Sequence, residues 1–249
     1  MRVDGKVAVV TGAGNGIGEA YAHALADEGA AVFVVDIDET AGCRVAGDIV
    51  AAGGRATYAV VDVADEVAVA TLADRCVDAF GGIDILVNNA GLQHGRWNMC
   101  AALSATEWRR ILDVNVLAPV LAAAACRTSM AERGGGVVIN TSSMAAYTPQ
   151  GGAYSVSKHA VNGVTMALAV DLAADGIRVN GIAPGMMDTP INRTRRPQAI
   201  VDQVLARQLV PRMGRLADLC GMLLYLCSEE ASFITGQTFL VDGGMNPRA

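Results

Sequence analysis

Short apolar runs alternate with helix-like segments along the whole chain. The runs are rich in valine, isoleucine and alanine, and each is only a few residues long. Such runs are typical of strands that are buried on both faces, as strands in a parallel sheet are. Parallel neighbours need a crossover connection, and the intervening segments have the length and periodicity of helices. The alternation therefore predicts an α/β fold: a Rossmann-type, doubly wound parallel sheet of about seven strands with helices on both faces.

The predicted elements follow one another without a segment that would mark a linker. Strands are expected at residues 7–10, 31–35, 56–61, 83–87, 137–140, 178–182 and 238–241. Helices are expected at about 16–28, 39–52, 65–80, 104–132, 152–174 and 216–228, with a less regular segment before the last of them. No repeat or Pro/Gly-rich linker interrupts this order, so residues 1–249 are expected to form a single domain.

Composition and charge argue against several classes of protein. Hydrophobic residues make up 52% of the 249 residues and charged residues 18%, which is not the composition of a disordered chain. The net charge of −6 argues against a nucleic-acid partner, because phosphate binding needs a basic surface. No apolar run reaches the roughly 18 residues of a membrane span, and the first residues lack the layout of a signal peptide. We therefore expect a cytoplasmic protein with no membrane partner.

The cysteines and histidines do not predict a metal site. The six cysteines are scattered, with no C-x-x-C pair, and the three histidines do not cluster near them. Zinc and iron–sulfur sites need closely spaced ligands of these types. Most of the cysteines stand in apolar helical stretches and are interpreted as small buried residues. No metal is expected.

A glycine-rich turn connects the first predicted strand with the first predicted helix. Its sequence is Thr11-Gly-Ala-Gly-Asn-Gly-Ile-Gly18, with the glycine spacing Gly-x-x-x-Gly-x-Gly. Glycines let backbone amides approach a diphosphate, whose charge then lies at the positive N-terminus of the helix. A plain strand-to-helix turn is the alternative. The candidate cofactor contacts in this turn are Gly12, Asn15, Gly16, Ile17 and Gly18.

Asp36 ends the second predicted strand, about 20 residues beyond the glycines. A carboxylate in this position can accept hydrogen bonds from both ribose hydroxyls of an adenosine, and it repels a 2′-phosphate. Ile37 follows where an arginine would favour that phosphate, and Asn15 adds no positive charge. The pattern favours NAD over NADP. An ordinary turn residue at the end of a strand is the alternative for Asp36.

Two further strand ends carry candidates for the same ligand. Asp62-Val63 ends the third predicted strand, where a carboxylate and an amide can bracket adenine. Asp62 as the N-cap of the next helix is an almost equal alternative. Asn88-Asn-Ala-Gly91 ends the fourth strand, and its small residues leave room for a cofactor. Open α/β sheets bind ligands at the carboxyl ends of their strands. The candidates here are Asp62, Val63, Asn89, Ala90 and Gly91.

Tyr154 and Lys158 stand four residues apart in a predicted helix, so they share one face, a turn apart. A free phenol has a pKa near ~10 and is a poor acid or base at neutral pH. A nearby ammonium favours the phenolate and brings the pKa of the tyrosine towards the working range. Tyr154 is therefore a candidate to exchange a proton with a hydroxyl or carbonyl group. Plain pairing on a helix surface also produces this spacing.

Two other polar residues are candidates for the same reaction. Asn140-Thr-Ser-Ser143 ends the fifth predicted strand, and a serine hydroxyl there can hold a substrate oxygen and stabilise charge that develops on it. Asn115 stands in an apolar stretch of the long predicted helix, where it can hold a water behind Lys158. An asparagine at a helix kink, satisfied by backbone groups, is the alternative.

With these motifs in hand, the chain resembles the short-chain dehydrogenase/reductase family, in its short single-domain form. The matching motifs run in the family's order over essentially the whole chain, and as a set they are highly specific. They are Thr11–Gly18, Asp36, Asp62-Val63, Asn88–Gly91, Asn115, Ser143, Tyr154-x-x-x-Lys158, Pro184-Gly185 and Val241-Asp-Gly-Gly244.

The resemblance implies a role for each matching residue. Tyr154 is implied to be the acid/base and Ser143 to orient the substrate oxygen. Lys158 is implied to lower the pKa of the tyrosine and to bind the nicotinamide ribose, and Asn115 to anchor a water in a proton relay. The implied cofactor contacts after the sixth strand are Pro184, Gly185, Met187 and Thr189. The resemblance also implies a homotetramer, with the helices around 104–132 and 152–174 at one interface.

The spacing between serine and tyrosine is shorter than is usual in that family. Tyr154 follows Ser143 by eleven residues and Ser142 by twelve, so counting does not choose between the two serines. Alignment on Ile139-Asn-Thr-Ser-Ser143 places the active serine second and shortens the loop 145–152. Ser143 is preferred on this ground, and Ser142 is the alternative.

Residues near the expected substrate pocket form a largely apolar set with some polar groups, as small-molecule pockets do. The candidates are Gln93, His94, Met144, Gln150 and Met186. The insert 191–216 adds a local excess of arginine over a single acid, Asp202. Its arginines are Arg193, Arg195, Arg196, Arg207, Arg212 and Arg215. The insert is interpreted as a solvated, salt-bridged surface segment or, as the alternative, a lid that attracts an anionic substrate or the diphosphate.

Taken together, the motifs predict an NAD-dependent oxidoreductase that acts on a secondary alcohol or the matching ketone, a small molecule. A 3-oxoacyl thioester reductase is an alternative, which Asp36 disfavours because those enzymes usually take NADPH. A catalytically silent dinucleotide sensor or scaffold is an alternative of another class. Ser143, Tyr154 and Lys158 argue against it, since a sensor does not need all three. Fold and family leave the substrate open.

Overall fold

Seven parallel strands form one sheet at the centre of the computed structural model, which describes residues 1–93, 99–148, 152–195 and 197–247. The strand order is β3-β2-β1-β4-β5-β6-β7. The strands are β1 Val7–Thr11, β2 Ala31–Asp36, β3 Arg55–Val60, β4 Ile85–Asn88, β5 Gly136–Thr141, β6 Ile177–Pro184 and β7 Thr238–Val241. This confirms the predicted Rossmann-type fold. The order reverses between β1 and β4, and in open α/β sheets the ligand crevice lies at such a reversal.

Helices cover both faces of the sheet. They are α1 Gly16–Asp27, α2 Glu39–Ala51, α3 Glu66–Ala70, α4 Leu72–Phe80, α5 Ala105–Leu112, α6 Ala118–Glu132, α7 Gly152–Asp171, α8 Pro190–Arg195, α9 Gln198–Leu205 and α10 Leu216–Cys227. A π-helical turn, Asp113–Leu117, joins α5 to α6. The helix expected at 65–80 is two helices that meet at Thr71, and the segment expected to be irregular contains α8 and α9.

The alternation of side chains along the strands builds two hydrophobic cores. In β1, Ala8 and Val10 point into one cluster, while Val7 and Val9 point into the other. The first cluster packs under α1, α2 and α10, and the second under α3, α4, α6 and part of α7. Every residue of β1 and β2 is buried. The prediction that these apolar runs are strands covered on both faces is therefore confirmed.

The helical stretch Ala105–Glu132 is long and apolar enough to span a membrane when only its length and composition are counted. Sequence inspection did not single it out, because polar residues such as Asn115 interrupt the apolar run. Its residues Ala122, Ala123 and Cys126 are buried in the second core cluster. A core helix of a soluble protein passes the same test, and the burial of this face against the sheet accounts for its apolar composition.

Candidate functional site

A cleft of about 610 Å³ lies over the carboxyl ends of the strands. Most of the site residues predicted from the sequence line this cleft. The predicted residues that line it are Gly12, Asn15, Gly16, Ile17, Asp36, Ile37, Asp62, Val63, Asn89, Ala90, Gly91, Gln93, Ser143, Met144, Tyr154, Lys158, Pro184, Gly185, Met186, Met187 and Thr189. Gly18 and Asn115 lie behind the wall of the cleft. His94 and Gln150 lie outside the residues that the structure describes.

The glycine-rich turn packs tightly against the end of β4. Gly12 has a φ of +62°, in the left-handed region, and a side chain there would lie 2.7 Å from the Cα atom of Ala90. A side chain at Gly18 would overlap the carbonyl oxygen of Gly12. Asn89 holds the turn from the other side, because its Nδ2 donates to the carbonyl oxygens of Thr11 at 3.2 Å and of Gly12 at 3.0 Å. The glycines keep the backbone exposed to the cleft in one fixed conformation.

Asp36 is buried at the end of β2, with both carboxylate oxygens held by backbone amides. Its Oδ2 accepts a hydrogen bond from the amide of Gly14 at 2.7 Å, and its Oδ1 accepts one from the amide of Asp38 at 3.0 Å. A side chain at Gly14 would come within 2.8 Å of Oδ2. Gly14 is thus a further residue that the site requires, although the sequence analysis did not select it.

Arg44, on α2, lies beside the same turn and was missed by sequence reasoning. Its Nη2 donates to the carbonyl oxygen of Gly14 at 2.9 Å. Its Nη1 pairs with Glu19 at 2.7 Å and with Asp48 at 3.1 Å, so two carboxylates compensate its charge. Nothing in the local sequence pattern marks this contact, because Arg44 reaches the turn only through the packing of α2 beside α1.

Asp62 faces the cleft rather than capping a helix. Its Oδ2 accepts from Arg110 at 3.1 Å, and its Oδ1 accepts from the amide of Ala64 at 3.0 Å. The N-cap of α3 is Asp65, whose side chain accepts hydrogen bonds from the amides at the start of that helix. The alternative interpretation of Asp62 as the N-cap is therefore wrong.

Lys158 is a buried cation at the floor of the cleft. Its Nζ donates to the carbonyl oxygen of Thr141 at 2.7 Å and lies 6.0 Å from the centre of the Tyr154 ring. Within the described residues it has no acidic partner. Burial, which disfavours the charged form, lowers the pKa of Lys158 to about 8. The ammonium still prevails at pH 7, so α7 places a positive charge beside the tyrosine one turn away.

The two serines after β5 have different surroundings. The Ser142 Oγ lies 2.7 Å from Oδ1 of Asn162 and 3.2 Å from the carbonyl oxygen of Lys158, so this hydroxyl ties β5 to α7. The Ser143 Oγ accepts from the amide of Ala145 at 3.1 Å. An accepted bond leaves the proton of Ser143 available for an oxygen in the cleft.

Asn115 lies in the π-helical turn, 1% exposed. Its Oδ1 accepts from the amide of Leu92 at 2.8 Å, and its Nδ2 donates to the carbonyl oxygen of Leu92 and to the Ser157 Oγ, both at 2.9 Å. The side chain thus joins the segment after β4 to α7, behind Gly91. The π-turn matches the interpretation of Asn115 as a helix-kink residue satisfied by backbone groups, and π-turns are frequent at functional sites.

The segment after β6 forms the far wall of the cleft. Met187 pairs with Gly214 in an isolated bridge, and the amide of Gly214 donates to the carbonyl oxygen of Met186 at 2.9 Å. Thr189 is 4% exposed, and its Oγ1 accepts from the amide of Asn192 at 3.3 Å at the start of α8. The two ends of the arginine-rich insert are therefore fixed next to each other at the base of the cleft.

The insert's arginines differ in their partners. Arg193 pairs with Asp188 at 2.5 Å, and Arg212 pairs with Asp218 at 2.7 Å. These two fit the interpretation of the insert as a salt-bridged surface segment. Arg207, in contrast, lines the cleft. Arg196 and the side chain of Arg195 are not among the described parts of the chain.

Several cleft residues carry no sequence signal that would have identified them. They are Leu92, Arg110, Thr141, Ile191, Asn192, Ile200, Gln203, Val204 and Met245. Most come from the insert or from the chain after the Val241–Gly244 motif, where the sequence analysis identified no motif. In the described ranges, no group of three or more His, Cys, Asp or Glu side chains is placed to hold a metal ion.

The chain is similar to known oxidoreductases over nearly its whole length. The model of a family described as enoyl-(acyl carrier protein) reductase matches residues 12–246. A relative described as an uncharacterized oxidoreductase of Mycobacterium tuberculosis is 45% identical over 242 residues, 97% of each chain. The cis-4-hydroxycyclohexanecarboxylate dehydrogenase of Sinomonas cyclohexanicum is 38% identical, with 96% of each chain covered. The chain belongs to the short-chain dehydrogenase/reductase family.

Solved structures of this short-chain dehydrogenase/reductase fold agree closely with the present one. A 7α-hydroxysteroid dehydrogenase complexed with NADH and 7-oxoglycochenodeoxycholic acid superposes with a TM-score of 0.93 at 36% identity, over 98% of this chain and 95% of that one. A gluconate 5-dehydrogenase from Burkholderia cenocepacia, in complex with NADP and tartrate, gives a TM-score of 0.92 at 35% identity, over 100% and 98%. The protein is therefore an oxidoreductase of this family.

Proposed function

We propose that the protein is an NAD-dependent dehydrogenase that interconverts a secondary alcohol and its ketone, with Tyr154 as the acid/base. The observation that carries the proposal is the buried ammonium of Lys158 beside Tyr154 at the floor of the cleft. A cation with no acidic partner in the described residues is costly to bury. Its position is explained if it favours the ionised phenol and binds a ligand in the cleft.

The residues that line the cleft fit a dinucleotide. The turn Gly12–Gly18 presents bare backbone at the N-terminus of α1, where a diphosphate is favoured. Gly91 lies at the floor of the cleft, where a Cβ atom would be in van der Waals contact with Lys158 Nζ at 3.4 Å. We assign the adenosine to the side of Asp36 and Asp62 and the nicotinamide to the side of Lys158 and Thr189.

Tyr154 and Ser143 are the residues that we assign to the transfer of the substrate's hydroxyl proton and to the binding of its oxygen. In the oxidative direction, the Tyr154 phenolate takes the proton from the substrate hydroxyl as its oxygen becomes the carbonyl oxygen. The Ser143 hydroxyl donates to that oxygen and stabilises the charge on it. A bound nicotinamide would supply the hydride chemistry of the reaction, the transfer of the carbinol hydrogen with its electron pair. Reduction of the ketone follows the reverse course.

We assign Asn115 a positioning role rather than a direct contact with substrate. Both amide protons of its side chain are engaged, by Leu92 and Ser157. The side chain therefore fixes the segment after β4 against α7, on which Tyr154 and Lys158 stand. If a water completes a proton relay behind Lys158, the backbone carbonyl of the π-turn is the group that we propose to hold it.

NAD is proposed over NADP because of the charge around the adenosine side. The Asp36 carboxylate would repel a 2′-phosphate and accept ribose hydroxyls. Ile37 is 62% exposed and adds no positive charge. Arg44 is the nearby cation, and Glu19 and Asp48 already compensate it.

The comparisons support a ring-bearing alcohol as the substrate. The cis-4-hydroxycyclohexanecarboxylate dehydrogenase and the 7α-hydroxysteroid dehydrogenase both act, by their names, on hydroxyl groups of ring systems. The apolar side chains beside Ser143 and Tyr154 suit such a body. A reductase of acyl thioesters is the second candidate, which the description of the matching family model favours. A long acyl chain would need the same apolar wall.

We further propose that the chain acts as a single domain in a cytoplasmic homotetramer. Exposed apolar side chains on α7, namely Val156, Met166 and Val170, support an interface along that helix. Sedimentation velocity of the purified protein tests the assembly, and a monomer at micromolar concentration would rule it out.

The activity is tested by the absorbance of reduced nicotinamide, with NAD⁺ or NADP⁺ and a panel of cyclic, aryl, steroid and 3-hydroxyacyl alcohols. We expect NAD⁺-linked turnover. Tyr154→Phe should lower kcat by about 10²-fold or more, the usual contribution of a positioned acid/base, while NADH binding stays within about threefold. Full activity in Tyr154→Phe would refute the assignment of Tyr154. Turnover of 3-hydroxyacyl thioesters alone would favour the second candidate.

A further inference from the structure

The cleft has two chemically different ends. The carboxylates that line it within the described residues, Asp36 and Asp62, stand on β2 and β3 at one edge of the sheet. The other end is walled by apolar side chains, with no described carboxylate among them. These apolar residues are Leu92, Met144, Met186, Ile191, Ile200, Val204 and Met245.

Three cations line the described part of the cleft, and they differ in their partners. Arg110 pairs with Asp62 at 3.1 Å. Lys158 donates to the carbonyl oxygen of Thr141 and is buried. The guanidinium of Arg207 makes neither an ion pair nor a hydrogen bond with any residue that the structure describes. Arg207 is exposed at the edge of the cleft, so its donors are open to solvent and to a ligand that binds there.

Contacts of its neighbours fix the position of Arg207 at the apolar end. The next residue, Gln208, donates from Nε2 to the carbonyl oxygens of Val210 at 3.1 Å and of Arg212 at 3.0 Å. The amide of Val210 donates to the carbonyl oxygen of Gly243 at 2.9 Å. These contacts anchor the end of the insert to the turn after β7, so Arg207 lies over β6 and β7, across the sheet from Asp36.

This position separates Arg207 from the places that a dinucleotide's negative charges would occupy. The glycine-rich turn, which suits the diphosphate, follows β1 near the middle of the sheet. An anion that reaches Arg207 from the cleft would therefore belong to the substrate. A guanidinium pairs with a carboxylate through two parallel hydrogen bonds.

We propose that the substrate is a hydroxy acid: an alcohol with an apolar body and a carboxylate remote from the carbinol, which Arg207 binds. The apolar wall contacts the body, Ser143 and Tyr154 meet the carbinol, and Arg207 pairs with the carboxylate. This assignment rests on the dehydrogenase activity proposed above. Among the arginines of the insert, the proposal gives Arg207 a function in substrate binding. Arg193 and Arg212 form surface ion pairs instead.

The test compares matched pairs of cyclic secondary alcohols, each as the free carboxylate and as its methyl ester. In the wild type, kcat/KM should be about fivefold higher for the carboxylate, the upper end of what a partly exposed ion pair contributes. Arg207→Gln should remove that preference and leave the ester within about threefold. Arg215→Gln is the matched control, because it removes the same charge from the same insert at an exposed position that does not line the cleft.

Failure of the inference and failure of the proposed activity give different results. Equal rates for acid and ester, unchanged in Arg207→Gln, would overturn the role of Arg207 while dehydrogenase activity stands. A raised KM for NAD⁺ in Arg207→Gln with every alcohol would also overturn it, since the anion would then be the cofactor's. If no alcohol of the panel is oxidised, the proposed activity fails.

A binding measurement tests the inference without turnover. Titration calorimetry of the enzyme–NADH complex with cyclohexanecarboxylate and with its methyl ester should show tighter binding of the acid in the wild type. The difference should vanish in Arg207→Gln and persist in Arg215→Gln. Ester binding as tight as acid binding in the wild type would overturn the proposal.

Discussion

The two ends of the cleft are built in different ways. At the end that we assign to the adenosine, the side chains stand on strand ends, and backbone amides fix the orientation of Asp36 on both of its oxygens. At the end that we assign to the substrate, about half of the apolar wall comes from α8, α9 and the chain after β7, and the guanidinium of Arg207 is free of protein partners in the described residues. The strand ends therefore hold the residues that we propose to bind the cofactor. The insert holds residues that we propose to bind the substrate, which can differ between related enzymes.

This comparison predicts that substitutions at the two ends affect different quantities. Changes at the adenosine end should alter the affinity and the choice of cofactor and leave the chemical step intact. Changes at the substrate end should alter kcat or the choice of substrate and leave cofactor binding intact. Lys158 lies between the two ends. Because its ammonium is buried, its protonation state affects the free energy of unfolding.

The largest effect is expected for Ser143→Ala. Loss of the one donor assigned to the substrate oxygen should lower kcat by about 10²–10³-fold, as removal of an oxyanion donor does. The dissociation constant of NADH, measured by fluorescence titration, should stay within about twofold. The control is Ser142→Ala, whose hydroxyl ties β5 to α7. It should mainly lower the free energy of unfolding, by about 1 kcal/mol. The reverse pattern would identify Ser142 as the active serine.

Asp36→Asn should be next in size. The neutral amide no longer repels a 2′-phosphate and accepts ribose hydroxyls less well, so the ratio of kcat/KM for NAD⁺ over NADP⁺ should fall about 10–100-fold. The kcat at saturating NAD⁺ should change little. Asp38→Asn is the matched control, because Asp38 is exposed and caps α2. A wild-type enzyme that already prefers NADP⁺ would contradict the assignment to Asp36.

Lys158→Met should change how the free energy of unfolding depends on pH, because the ammonium of the wild type is buried. The pKa of Lys158 is lowered to about 8 in the folded state, against about 10.5 unfolded, so the unfolded chain binds the extra proton between these values. Stability of the wild type therefore rises with pH in that window. Between pH 7 and 9.5 it should gain about 2 kcal/mol relative to Lys158→Met. Urea unfolding at both pH values measures the difference, and a constant difference would show that the lysine is not desolvated.

Arg110→Gln should have the smallest effect. Its ion pair with Asp62 is partly exposed on both sides, and such pairs contribute less than about 1 kcal/mol. The KM for NAD⁺ should rise less than about fivefold, with kcat unchanged. A loss of activity comparable to that of Ser143→Ala would mean that the two ends of the cleft are not independent.

The sequence was sufficient for the fold and for bringing most of the strand-end candidates into one cleft, because those features are local. Alternating apolar runs predict buried parallel strands, and a parallel sheet brings its carboxyl ends to one edge. Asp36, Asp62 and Asn89 could therefore be placed in one cleft without knowledge of their contacts. The glycine-rich turn was recognisable since its spacing is set within a few residues.

Features that depend on distant contacts could not be predicted in the same way. Asn115 meets Leu92 and Ser157, which are 23 and 42 residues away along the chain. The pairing of Arg44 with Gly14, and the absence of a described partner for Arg207, follow from helix packing and not from spacing. The helices α8 and α9 were read as irregular chain, because segments this short show little periodicity.

The bridge between Met187 and Gly214 has a consequence for how new activities arise on this scaffold. Since it holds the two ends of the insert together, the chain between them can change in length or sequence at little entropic cost to the rest of the fold. The insert can therefore be exchanged as a unit. A different insert would face the same Tyr154 and Lys158, so the choice of substrate can change while the residues proposed to carry the reaction stay the same.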